Sequence, residues 1–187
     1  MATDRMPPIP KSALDSGQQK AAAQFEAVRN MPPFGPFVPL LRSPEVMQRA
    51  AALGDYLRFR NSLPRRLSEL AILITARAWT QQLEWHYHAG MAREAGLAEE
   101  IIAAVAEGRR PENLDEEAAA VLDFSLELHR NRSVSDATYA KAKRHFGEKG
   151  VIDLVGIAGY YSLLAMAMNV ARTPLPEGVT APLTPMP

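Results

Sequence analysis

From Ser43 to Ala171 the apolar residues recur at intervals of three and four, the period of one helix face, and no alternating β-branched run bounded by turns argues for a strand. Proline placement agrees: of 15 prolines, eight lie at or before Pro44, five at or after Pro174, and only Pro64 and Pro111 fall between. The middle of the chain is therefore free to be helical, and the pattern predicts an all-α, single-domain multi-helix bundle.

Helix punctuation divides that middle. Ser43 before Pro44 reads as an N-cap with proline at the first helical position, opening a helix to about Arg60. Pro64 opens the next helix, with Leu67, Leu70, Ala71, Ile74 and Ala78 on one side. Ile72 and Leu73 make it apolar nearly all round, which places it deep in the core. Thr80-Gln81-Gln82 marks a break, after which a helix from about Leu83 ends at Gly96, and a short one from Ala98 to Glu107 stops at Gly108. Asn113 with Glu116 three residues on resembles a capping box for a helix through His129. Ser135 to Phe146 ends at Gly147 and a long apolar helix follows. An N-terminal helix is expected near Ser12 to Arg29.

The stretch Leu154 to Ala171 is apolar or small except for Tyr160, Tyr161, Ser162 and Asn169, and approaches membrane-spanning length. A helix apolar on every side is more simply one surrounded by protein, and Gly156, Gly159, Ala165 and Ala167 permit close approach, so no membrane partner is expected. Between the first two helices, MPPFGPFVPLLRSP alternates prolines with Phe34, Phe37, Val38, Leu40 and Leu41, predicting a rigid extended arm that covers the core or walls a pocket. The expected organisation is an N-terminal extension (1–42), a helical domain (43–173) and a proline-rich tail (174–187).

Composition narrows the chemistry. The 187 residues carry 21 Lys+Arg against 21 Asp+Glu with the basic residues scattered, which argues against nucleic acid as a partner. No Cys is present, which removes disulfides, thiolate metal sites and thiol nucleophiles together. The first residues lack the apolar run of an export signal, so a cytoplasmic location is expected.

The densest group of polar, ionisable and aromatic side chains is Gln81-Gln82-Leu83-Glu84-Trp85-His86-Tyr87-His88. On a helix Glu84 and His88 are separated by about 40° around the axis and can touch, whereas His86 lies about 160° from either and cannot join His88 on one metal. With no Cys and only two other His outside the cluster, no metal site is expected. Glu69 interrupts an apolar helix, and its burial requires a partner, which Arg65 and Arg66 could supply in a structural ion pair.

At these residues the sequence resembles the carboxymuconolactone decarboxylase superfamily, which includes the alkylhydroperoxidase D-type proteins. The resemblance runs from LPRRLSELAILITARAW through QQLEWHYHAGMAREAGL to about Ala106, and more weakly through VIDLVGIAGYYSLLAMAMNV. In the peroxidase-like branch a Cys-x-x-Cys pair precedes the family His by seven and four residues, with a Glu about nineteen before it. Here those positions hold Gln81, Glu84 and Glu69, so thiol peroxidase and disulfide-reductase activities do not carry over. The decarboxylase-like branch shows a Glu four residues before the His and a small residue four after, which Glu84, His88 and Ala92 reproduce.

The resemblance implies an alkylhydroperoxidase D-like helical protomer in a homotrimer or homohexamer, and a cofactor-free lyase or proton-transfer reaction on a small carboxylated lactone or ring compound. His88 would give the proton, with Glu84 or Glu69 orienting it. Arg65, Arg66 and Arg77 are candidates for binding substrate carboxylates and Trp85 for stacking on a flat ligand; Arg66, Arg77 and Trp85 form the expected binding set. The alternative is a non-catalytic ligand-binding or regulatory member of the same fold.

Overall fold

The computed structural model describes residues 3–184, and all regular structure among them is helical. After a 3-10 turn (Lys11–Ala13) come α1 (Ser16–Arg29), α2 (Phe37–Leu40), α3 (Pro44–Phe59), α4 (Arg65–Ala78), α5 (Gln82–Glu94), α6 (Glu99–Ala106), α7 (Glu116–Asn131) and α8 (Asp136–Ala171). Helix α4 is central, packed against α5, α7 and α8 and touching α6. Every residue from Leu67 to Arg77 on it is buried, as expected of a helix apolar on most of its circumference.

Several boundaries follow the local chemistry. Pro64 caps α4, Gly96 and Gly108 take positive φ just after α5 and α6, and Asp15 with Gln18 forms a capping box that starts α1 four residues later than the pattern suggests. Gly147, at φ 67°, bends α8 sharply and divides it where the sequence predicts a stop. Two caps differ from expectation. Ser43 precedes α3 without a side-chain cap bond, and α7 is capped by Asp115, whose carboxylate accepts from the Ala118 amide, rather than by Asn113.

The proline-rich arm is not extended. Gly35 turns at φ 51°, α2 follows, and Phe34 and Phe37 both pack against Phe25 of α1. Clustering three rings removes more apolar surface from water than a straight arm would. The tail is tied down by Gln82, whose side-chain amide exchanges hydrogen bonds with the backbone of Leu183 at 2.7 and 2.9 Å.

Helix α8 is long and apolar enough to cross a membrane by length and composition, but more than half of its most apolar stretch is buried in this chain. Its packing on α3 is specific. The Tyr160 hydroxyl presses on Gly54, where a Cβ would lie 2.1 Å from Oη, so the mid-helix glycine supplies clearance that no other residue could. Asp153 accepts from the Tyr56 hydroxyl and from the Ser62 amide and hydroxyl at 2.6 to 2.8 Å, and pairs with Lys149. Burial opposes this carboxylate's charge, but those donors outweigh it and lower its pKa. The outer face of α8 leaves Ile152, Val155, Leu163, Met166 and Val170 exposed in one helical stripe.

Candidate active site

The turn between α4 and α5 places the chemistry. Thr80 sits at φ 46°, and Gln81 caps α5 by accepting from the Leu83 amide at 2.7 Å. Asn169 of α8 braces the turn by accepting from Gln81 at 2.8 Å and donating to the Trp79 carbonyl at 3.1 Å. Gln81, at the first of the two Cys positions in the resemblance, therefore serves as a cap and tether. The second position, Glu84, falls in the first turn of α5, one helical turn before His88.

Glu69, Glu84 and His88 converge, each about 6% exposed. His88 Nδ1 lies 2.8 Å from Glu69 Oε2 in a well-formed hydrogen bond. Nε2 lies 3.3 Å from Glu84 Oε2, close enough for ion pairing but longer and less well aligned. Burial works against a charged ring, but its hydrogen bonds to the two carboxylates and their negative charges prevail and raise the pKa of His88 from 6.5 to about 9. At neutral pH the ring is an imidazolium, Nδ1–H held by Glu69 and Nε2–H the more loosely engaged proton.

A cavity of about 330 Å³ opens beside this trio. Glu84 and His88 reach its wall; Glu69 stands behind the ring. Phe34, Gly35 and Phe37 of the arm close one side, so the arm is both core cover and pocket wall. Tyr161 stands edge-on to His88, 5.0 Å between ring centroids, and its hydroxyl is buried with no hydrogen-bond partner among the described residues. Burial raises its pKa well above 10, so it stays a proton-bearing donor.

Among the described residues, the arginine at the cavity that has no carboxylate partner is Arg58, which the sequence pattern does not single out. It lines the wall from the last turn of α3, and its guanidinium contacts the Met91 sulfur at 3.7 Å and the Phe59 ring, with no carboxylate partner among the described residues. Arg29 also lines the cavity but is tied to Asp55 at 2.5 Å. The expected binding set lies elsewhere. Arg65 pairs with Glu94 and Arg66 with Asp115 and Glu117, so neither serves Glu69, which has His88 instead. Arg77 is eight residues beyond Glu69, about 12 Å along α4, and lines a different cavity. Trp85, turned about 100° from Glu84, is 4% exposed within the hydrophobic core. Only long-range packing, which brings the ends of α3 and α5 together, reveals Arg58; nothing in its neighbouring residues singles it out.

Residues 44–126, spanning α3 to most of α7 and holding all three members of the trio, match the model of the Carboxymuconolactone decarboxylase family. The fold matches a crystal structure described as an alkylhydroperoxidase AhpD core, an uncharacterized peroxidase-related protein from Ralstonia eutropha JMP134, with TM-score 0.71 and 18% identity over 91% of each chain. No curated protein matches. The chain thus carries the alkylhydroperoxidase D-like fold without the Cys pair, and its segment 44–126 is similar to the carboxymuconolactone decarboxylase family.

Proposed function

We propose that the protein is a cofactor-independent lyase of decarboxylase type, or a related proton-transfer enzyme, acting on a small carboxylated lactone or ring compound. The observation that carries this reading is a buried imidazole clasped by two carboxylates at the wall of a cavity. A general acid needs a proton held near a reacting atom in a site that excludes bulk water, and the two carboxylates keep that proton on the ring at neutral pH.

Within the cavity, Arg58 is the group suited to a substrate carboxylate and offsets the net negative charge of the trio when both its carboxylates are ionised. Loss of carbon dioxide breaks one C–C bond and leaves its electron pair delocalised toward the lactone carbonyl oxygen, to which the Tyr161 hydroxyl donates. His88 Nε2–H protonates the terminal carbon and completes the allylic shift. Glu69 acts through Nδ1 as a positioning residue, and Glu84 helps return a proton from solvent to the ring.

A second reading, a non-catalytic ligand-binding or regulatory protein, draws on the fact that both nitrogens of His88 already have partners without any substrate. One experiment separates the two. Carboxylated lactones and related aromatic-degradation intermediates are screened for loss of ultraviolet absorbance with wild type, His88→Gln and Arg58→Met. The lyase reading expects turnover that His88→Gln abolishes with its helical circular dichroism intact, and a KM raised at least ~10-fold by Arg58→Met. Binding without turnover supports the second reading, and turnover that survives His88→Gln removes the proposed acid. The exposed stripe on α8 is a surface suited to self-association, and the expected assembly, a homotrimer or homohexamer, is tested by light scattering of the purified protein.

A further inference from the structure

A second cavity, of about 190 Å³, lies among α4, α6 and α7 and shares no lining residue with the one beside His88. Much of its wall is aliphatic: Ile74, Val105, Leu122 and Leu126. Arg77 also lines it, from a side chain only 5% exposed, with Nε and Nη1 sealed from solvent and without a hydrogen-bond partner among the described residues. Buried guanidinium groups are ordinarily paired, and unlike a lysine this one cannot escape by losing its proton. No Asp or Glu lines the cavity.

The rest of the wall adds to the imbalance. Arg109 and Arg130 stand at the cavity as well, and of these Arg109 is neutralised by Glu107 while Arg130 has no ion-pair partner among the described residues. His129 is already oriented by Thr75 and offers no second N–H. The Thr75 hydroxyl donates to the Ala71 carbonyl at 2.9 Å, so at its 2.9 Å contact with His129 it must accept, and Nε2 of that ring carries the hydrogen. Burial lowers the pKa of His129, which leaves the ring neutral at pH 7 and adds no competing cation.

We infer that this cavity is a second binding site, for a small monocarboxylate with an apolar body such as an arene carboxylate, whose anion pairs with Arg77. The aliphatic wall suits such a body better than a compact polyanion like phosphate, which needs donors on every side. The size suits it too: a cavity of about 150 Å³ lined by apolar side chains holds benzene, so the present volume admits a ring with a carboxylate attached. A carboxylate satisfies the guanidinium with charge-assisted hydrogen bonds. The inference does not rest on the reaction assigned to His88.

Benzoate and its neutral isostere benzamide are the probes, with binding followed by calorimetry and by the imidazole NMR signals of His129 and His88. Wild type and Arg58→Met show the same benzoate-dependent shifts at His129, any shift at His88 being confined to protein that keeps Arg58, and benzamide acts at His129 at least ~10-fold more weakly. Arg77→Met lowers benzoate affinity at least ~10-fold and leaves benzamide unchanged. Leu126→Trp, which fills the cavity and retains Arg77, also abolishes the shifts at His129, so the answer does not hang on one variant's folding. Benzoate that perturbs only His88, that is lost in Arg58→Met, that binds Arg77→Met as tightly as wild type, or that fails to bind at about 10 mM overturns the assignment.

Discussion

Replacing Glu69 by Gln probes the site through stability as well as activity. The amide keeps an oxygen to accept from His88 Nδ1–H at the observed 2.8 Å, so the geometry survives while one negative charge is lost. The rise in His88 from 6.5 to about 9 corresponds to about 3 kcal/mol of preference for the protonated ring in the folded state. Because the folded-state value is the higher one, this stabilisation is complete below about pH 6.5 and is lost as pH rises through about 9. Two carboxylates together overcome burial and supply the net effect. Neutralising one removes at least ~1.4 kcal/mol of it, equivalent to lowering the pKa by about one or more. His129 titrates below this window and the raised Lys143 and Lys149 above it, so neither accounts for a slope within it.

Urea unfolding of wild type and Glu69→Gln, read by helical circular dichroism from pH 6 to 9.5, measures the difference. Wild type loses about 3 kcal/mol over that range and the variant at least ~1.4 kcal/mol less. Identical pH slopes would refute the claim that Glu69 holds a proton on His88. With a substrate in hand, the alkaline limb of the rate profile moves to lower pH by about one pH unit in the same variant.

Tyr161→Phe removes a buried hydroxyl that has no partner among the described residues. Stability therefore stays level or rises, while kcat falls about 10- to 100-fold; a destabilised variant would show that the hydroxyl has a structural partner. Gly54→Ala forces its Cβ to 2.1 Å from Tyr160 Oη, and α3 or the tyrosine must shift. The expected cost is about 1–3 kcal/mol in urea unfolding, and wild-type stability would contradict the close packing of α3 on α8.

Much of the helical order was legible because its signals are local: proline at Pro44 and Pro64, glycine at Gly96, Gly108 and Gly147, and an apolar circumference on α4. Misreadings arose where two local signals competed or a tertiary contact overrode one. Asp115 displaced Asn113 as the cap of α7, and ring clustering on Phe25 bent an arm that its prolines alone would have kept extended. The pairing of Glu84 with His88 follows from helical spacing, but the contact of Glu69 with His88 crosses between helices and entered the sequence reading only through the resemblance. Arg58 and Arg77 show the limit. Whether an arginine meets a carboxylate, a cavity or nothing depends on which helix lies opposite, and neighbouring residues carry no record of that.

The charge of one ring decides the account. A nitrogen-15 NMR spectrum of His88 in the native protein at pH 7.5, assigned against His88→Gln, is predicted to show protons on both ring nitrogens, titrating with an apparent pKa near 9. A neutral ring at that pH, with one nitrogen bare, would contradict the buried acid.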